Sequence, residues 1–308
     1  MRAAITYFEQ ALALDPKYAL ARSGIATACA WFSVRYAHAA EADAWAKRAD
    51  AEARLALQED GSLADAHLAI ANAAGTTYGG FEWDIVLDRS AAALALDPSL
   101  DLAHLARMRA YYHLGLFDEA AREGDAAARL NPGHSIELDR LRVALLLFDG
   151  HFTEAVNEAE GLLAQTDAAA VRHYLGLARY YAGDASGGRD MLASTKRSDV
   201  PDPRAQASLA SLEAATGLTR DARARIATIL SGTDLDHHIA YSLGAAFAQM
   251  GDAAASLRWL EQAADTGFPC YPWFARDSLL DPVRSTPQFV QLLARLKDAH
   301  EDARRRRR

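Results

Sequence analysis

The side chains that could do chemistry are two cysteines and ten histidines, set among carboxylates spread along the whole chain. His237 and His238 are adjacent, and imidazoles are good metal ligands. Adjacent residues on a helix point about 100° apart, however, and no H-E-x-x-H spacing occurs. The pair therefore reads as a solvent-facing start of a helix. His104 and His113 also lack a carboxylate partner in any ligand pattern. Cys29 and Cys270 stand far apart, with no C-x-x-C pair for zinc and no disulfide framework. Cys270, in Phe-Pro-Cys-Tyr-Pro, would need a positioned base to act as a nucleophile. None follows from the sequence, so it reads as a small packed hydrophobe. No phosphate-cradling glycine loop and no paired metal carboxylates occur. The expectation is a chain without catalytic residues, metal or cofactor: not an enzyme.

The elements that would carry these residues recur. In Tyr241 to Trp259 the residues Leu243, Gly244 and Phe247 lead to Gly251, and a second alanine-rich helix follows. Leu175-Gly176 with Gly183 repeats the layout 68 residues earlier. Glycine turns fall at Gly115, Gly150, Gly183, Gly217 and Gly251, at spacings of 35, 33, 34 and 34. A period near 34 with small residues at a helix crossing describes stacked helix hairpins. The predicted helix pairs are 18–36 with 39–57, 63–74 with 83–96, 102–114 with 118–130, 136–148 with 153–164, 169–182 with 186–195, 204–216 with 220–230, and 237–250 with 253–264. Gly187-Gly188 should weaken its helix.

The organisation follows. Residues 1–16 read as a half repeat, the second helix of a hairpin, with Ala4, Phe8, Ala11 and Pro16 at intervals of 4, 3 and 5. Its missing partner points to a chain cut from a longer one, the alternative being a naturally frayed end that starts at Met1. Residues 17–98 are longer, irregular repeats: Asp15-Pro16 and Asp97-Pro98 lie 82 apart. Insertions are expected near His38 to Asp43 and near Thr76 to Phe81. Residues 99–266 are regular repeats. Residues 267–300 form a cap of structured loop and last helix, 289–299, lying over the final hairpin. Residues 301–308 are a basic tail, in which Ala303 to Arg308 should be frayed and solvated.

Composition agrees. Hydrophobic residues make up 51% but aromatics only 8%, so alanine supplies much of the apolar content. Alanine favours helices and close helix approach. The net charge is −8. The five terminal arginines leave −13 on the remainder, a poor match for phosphate neutralisation on nucleic acid. Cysteine usage and the absence of an apolar run of about 20 residues point to a cytoplasmic chain without a membrane span.

The chain resembles the C-terminal tetratricopeptide sensor region of bacterial multidomain signalling proteins, in which a winged-helix, kinase or adenylate cyclase domain precedes the repeats. The matching segments are YFEQALALDPKYALARSGIATA, YGGFEWDIVLDRSAAALALDP, LGLFDEAAREGDAAARLNP and GFPCYPWFARDSLLDPVRSTPQFVQLLARLK. In the last, Asp281-Pro282, Arg284 and Phe289 take the cap's places. No kinase, cyclase or winged-helix motif precedes the repeats here. The resemblance implies an all-α, right-handed superhelical α-solenoid of tetratricopeptide hairpins with a C-terminal capping loop and helix. Its groove would be lined from the first helices by Arg109, Tyr112, His113, Arg140, Phe148, His173, Tyr180, Tyr181, His238 and Tyr241. Aromatic and basic groups converging there suit a peptide or acidic protein segment. The lysine-asparagine clamp of chaperone-tail-binding arrays is not recognisable. Trp83, Trp273 and Phe274 read as core. The implied role is a non-catalytic scaffold or sensor serving an upstream output domain. Two alternatives stay open: a repeat domain separated from its cyclase, kinase or glycosyltransferase, and a self-assembly module using the apolar edge of the half repeat.

Overall fold

The computed structural model describes residues 2–35, 39–133, 136–166, 168–197, 200–232 and 235–307. Tyr36 and His38, the expected end of one helix and start of one insertion, lie outside the described residues, as does Arg308.

The order is α1 (Arg2–Leu14), α2 (Ala19–Arg35), α3 (Ala39–Glu59), α4 (Ala64–Ala74), α5 (Trp83–Leu96), α6 (Asp101–His113), α7 (Phe117–Leu130), α8 (Ile136–Asp149) and α9 (Phe152–Leu163). Then come α10 (Ala169–Tyr181), α11 (Ala185–Ser194), α12 (Pro203–Ala215), α13 (Thr219–Leu230), α14 (His237–Gln249), α15 (Ala253–Asp265) and α16 (Tyr271–Arg276). A 3-10 turn (Ser278–Val283) and α17 (Pro287–Arg306) close the chain. The only extended pairing among the described residues is a two-residue antiparallel ladder, Lys196 opposite Pro201 and Arg197 opposite Val200. The expected hairpins are all present, with ends within two residues wherever both are described. The described residues contain no helix long and apolar enough to cross a membrane.

The five periodic glycines share one conformation, with φ between 72° and 102°. That left-handed region is open to glycine at little cost. At Gly150, Gly183, Gly217 and Gly251 the following residue's N–H reaches back five residues (His151 to Leu146 at 2.8 Å, Asp252 to Phe247 at 3.0 Å). The glycine N–H reaches back three, so two orphan carbonyls are satisfied as each first helix stops. Asp184 and Asp252 then cap the next helix by accepting from Gly187 and Ala255 N–H, at 2.8 and 2.9 Å.

Small residues set the crossings. A Cβ on Gly244 would lie 2.7 Å from Leu260 Cγ, and one on Gly188 would lie 2.6 Å from the Gly176 carbonyl. Gly187-Gly188 thus does not simply weaken α11. It lets Asp184 cap the helix and lets α11 approach α10.

The insertion at Thr76–Phe81 is a tight turn in which Gly80 and Phe81 both have positive φ, 67° and 55°. Glu82 N–H closes it onto the Ala74 carbonyl at 3.1 Å.

The last helix departs from expectation. It runs through Arg306 instead of ending at residue 299, and Ala303 is buried. Arg305 pairs with Asp302 one turn away, and three arginines sit where the helix dipole favours cations. Residues 303–306 are helix and not frayed.

The chain divides into two compact units: Met1–Tyr111 with Arg122–Gly133, and Tyr112–Ala121 with His134–Arg308. The first has a core dominated by alanine, with Ala49, Ala53, Ala56, Ala66 and Ala69 around Ile25 and Ile70. Ion pairs ring it: Arg22–Glu52 at 3.0 Å, Arg54–Asp50 at 2.9 Å, and Glu123 between His104 and Arg107, both at 2.6 Å. Trp83 is buried there. In the second unit the first helices α8, α10, α12 and α14 pack in succession. The α16 helix lies against α8, and the 3-10 turn lies against α14 and α15. α17 packs on α15 and α16, where the cap was expected.

Candidate functional site on the first helices of the second unit

The first helices of the second unit place residues 140, 174, 208 and 242 at equivalent positions, 34 apart. These positions touch their neighbours. Arg140 Nη1 donates to the Tyr174 hydroxyl at 3.5 Å, and the Ser208 and Ser242 hydroxyls are 3.2 Å apart. His173 Nε2 lies 2.9 Å from Ser208 Oγ. Burial lowers the His173 imidazole to about 4, so it is neutral at physiological pH. Two cations flank this polar row, each held by a carboxylate: Arg140 by Glu137 at 2.7 Å, and Arg204 by Asp236. Asp236 also caps α14, accepting from His238 and Ile239 N–H at 2.9 Å each.

The other half of the face is filled by the chain's own C-terminal segment. The Phe268 and Trp273 rings lie 5.3 and 5.1 Å from the Phe148 ring. Trp273 also stands edge-on to Tyr181 at 5.2 Å, and Phe274 edge-on to Tyr241 at 5.0 Å. Asp277 is 1% exposed and is bound by three donors: Tyr181 hydroxyl at 2.7 Å, Tyr241 hydroxyl at 2.6 Å and Leu279 N–H at 2.9 Å. Burial raises the Asp277 carboxyl above its ordinary value even though these donors pull it down. Arg276 donates to the Asp149 carbonyl at the end of α8. Arg284 locks the segment from behind, donating to the Ala275 and Asp277 carbonyls at 2.6 and 2.7 Å. It also pairs with Asp281 and lies over the Phe289 ring, so the residues that carried the cap resemblance form one cluster.

The ten residues expected to line a groove are therefore placed in four ways. Tyr112, His113, Phe148, His238 and Tyr241 are buried, in contact with the ring cluster around Phe268 or with Asp277. Tyr181 is half-buried and spent on Asp277, and His173 is buried in the polar row. Arg140 and Tyr180 remain half-buried on the second unit's first helices. Arg109 belongs to the first unit, where its Nη2 donates to Asn72 at 3.4 Å.

One further reading changes, and the packed reading of Cys270 agrees with its burial. His237 and His238 are not a solvent-facing pair; they are 2% and 9% exposed. His113 Nε2 stands 3.2 Å from His237 Nε2, and the Tyr112 hydroxyl stands 3.4 Å from His238 Nε2. A helical wheel shows the pair on its own helix only. The third imidazole and the covering Phe268 come from distant parts of the chain. Cys270 is fully buried, and burial pushes its thiol up to about 12, the state of a packing residue and not of a nucleophile.

Asp277 is the site residue that sequence reading passed over. Its signal was an acid in a run of aromatic and apolar residues, whose buried charge demands donors. A cleft of about 400 Å³ in the first unit, lined by Arg54, Ile85, Asp88, Arg89 and Ala92, was also not anticipated.

No protein-family model matches the chain. No curated protein matches it either. Solved structures do. A tetratricopeptide repeat protein from Parabacteroides merdae superposes with a TM-score of 0.54 at 13% identity, covering 82% of this chain and 93% of that one. Human IFIT1, solved as a dimer with PPP-AAAA, gives 0.55 at 13% identity over 84% of this chain and 71% of that one. Cut9, from its hetero-tetramer with Hcn1, gives 0.53 at 13% identity over 84% of this chain and 56% of that one. The chain has the tetratricopeptide fold, an all-α solenoid of helical hairpins.

Proposed function

We propose that this chain is a non-catalytic repeat scaffold that binds a protein or peptide segment on its first helices. One observation carries the reading: the second unit already holds an aromatic segment of its own chain on that face. Trp273 and Phe274 sit among rings, and Asp277 sits between two tyrosine hydroxyls. Aromatic anchors in ring-lined sites are the usual energetic centre of protein recognition. The half-buried residues beside the segment, Arg140, Tyr180 and Ser242, would be the part open to a partner. The Cut9 assembly with Hcn1 supports a protein partner. The acidic body argues against a phosphate-rich ligand such as the PPP-AAAA present with IFIT1. A cytoplasmic, bacterial signalling or transcription-regulating setting, with an output domain as the client, is the context implied by the resemblance.

The test is selection of binding peptides from a displayed library, followed by titration. Arg140→Ala and Tyr180→Ala should each weaken a selected peptide at least tenfold with the fold intact by circular dichroism. Unchanged affinity in both would place binding elsewhere.

A second reading has its own observation. Tyr7, Leu14 and Leu20 at the N-terminal end are 70%, 90% and 59% exposed. Such exposure suits self-association through the half repeat. Light scattering that shows the monomer mass at all concentrations would exclude it.

A further inference from the structure

His113, His237 and His238 each turn one ring nitrogen into a common space, with the three nitrogens within 4.8 Å of one another. We propose that this cluster is a binding site for a borderline divalent transition metal of the zinc class, joining the end of α6 to the start of α14. The proposal is independent of the peptide-binding reading.

Three observations support it. First, the spacing fits. Zinc–nitrogen bonds of about 2.0–2.1 Å set tetrahedral ligand nitrogens about 3.3–3.4 Å apart. His113 Nε2 and His237 Nε2 are already 3.2 Å apart, and the third nitrogen has about 1.4 Å or less to close.

Second, the outer partner is in place. His237 Nδ1 lies 3.1 Å from the Thr266 carbonyl. An N–H donated there leaves Nε2 unprotonated and facing the other rings. Metal-bound histidines use the same outer-shell bond to fix tautomer and ring orientation.

Third, the rings are held. His113 is the last residue of α6, and His237 and His238 are the first two of α14 behind the Asp236 cap. Phe268 packs on all three, at 6.0, 6.3 and 5.1 Å.

The donor set names the ion class. Three imidazoles without a carboxylate or thiolate select zinc, copper, nickel or cobalt over magnesium and calcium. The Tyr112 hydroxyl, 3.4 Å from His238 Nε2, offers an oxygen for a fourth position. Apolar rings around the cluster suit a structural tie and not a reaction centre.

The experiment uses the full chain, stripped with a chelator and dialysed. Zinc is titrated against a chromophoric chelator, and cobalt is added in parallel for its visible four-coordinate bands. Expected are one zinc per chain, an intense cobalt spectrum, and at least a tenfold loss of affinity in both His113→Gln and His237→Gln. Less than one equivalent in the wild type, or unchanged affinity in the variants, overturns the site. Should a variant not fold, ring NMR of the wild type decides. Zinc must shift the signals of His113, His237 and His238, whereas shifts confined to exposed His151 would mean adventitious surface binding and overturn the proposal.

Discussion

The two units are built from the same hairpin and solve its burial differently. In the first, alanine against alanine lets helices close up, and polar chemistry stays at the edges as ion pairs such as Arg22–Glu52 and His104–Glu123–Arg107. In the second, large rings and histidines occupy the first helices and are covered by the chain's own residues 268–283. The difference shows what the repeat leaves open. Its glycines and small residues specify how two helices meet, while the outward positions of the first helix are free to be charged or aromatic. Aromatic positions need a cover, and here the chain supplies one.

The sharpest break in that comparison is Phe268→Ala. This ring is fully buried and touches His113, Phe148, His238 and Tyr241. Removal should cost about 3–5 kcal/mol. Hydrogen exchange followed helix by helix should show lost protection in α8, α14 and α16, with α2 to α5 unchanged. Equal loss in both units would mean that they fold as one cooperative body.

A smaller effect separates the cover from its polar anchor. Asp277→Ala leaves the Tyr181 and Tyr241 hydroxyls without their acceptor, at about 1–3 kcal/mol each, offset in part by removing a buried charge. A net loss of about 2 kcal/mol is expected, read as a lower denaturation midpoint and faster proteolysis near Arg276. Asp277→Asn should lose less, because its amide oxygen still accepts one hydroxyl.

Much of this architecture was legible beforehand, because its causes are local. A glycine at φ near 80° ends a helix wherever it occurs, and Leu243-Gly244 marks a crossing because only a missing Cβ admits Leu260. What was not legible depends on partners far along the chain. Tyr181 and Tyr241 looked like groove residues until Asp277 arrived from 96 and 36 residues away. His237 and His238 looked exposed because a wheel shows one helix, whereas His113 approaches from 124 residues away. The arginine run looked unstructured, yet Arg305 pairs with Asp302 one turn back and the helix continues through Arg306.

The last and smallest test sets the units against each other through pH. Glu123, in the first unit, is pulled up by burial and further down by His104 and Arg107, so its folded pKa lies below its unfolded one. Its stabilisation is present above about pH 4 and is lost as pH falls through the folded value. Asp277, in the second, is raised chiefly by burial. Its contribution is full below about pH 4 and is lost as pH rises through its folded value. Acidification should therefore loosen α6 and α7 around Glu123 while tightening the 3-10 turn around Asp277. Local exchange rates between pH 3 and pH 6, compared with Glu123→Gln and Asp277→Asn, isolate the two carboxyls from the common acid response. Each substitution should flatten the pH slope, by about 1 kcal/mol or less, in its own unit only. Slopes of one sign in both units would show that the buried aspartate is stabilised as the anion, and that its three donors outweigh the loss of water.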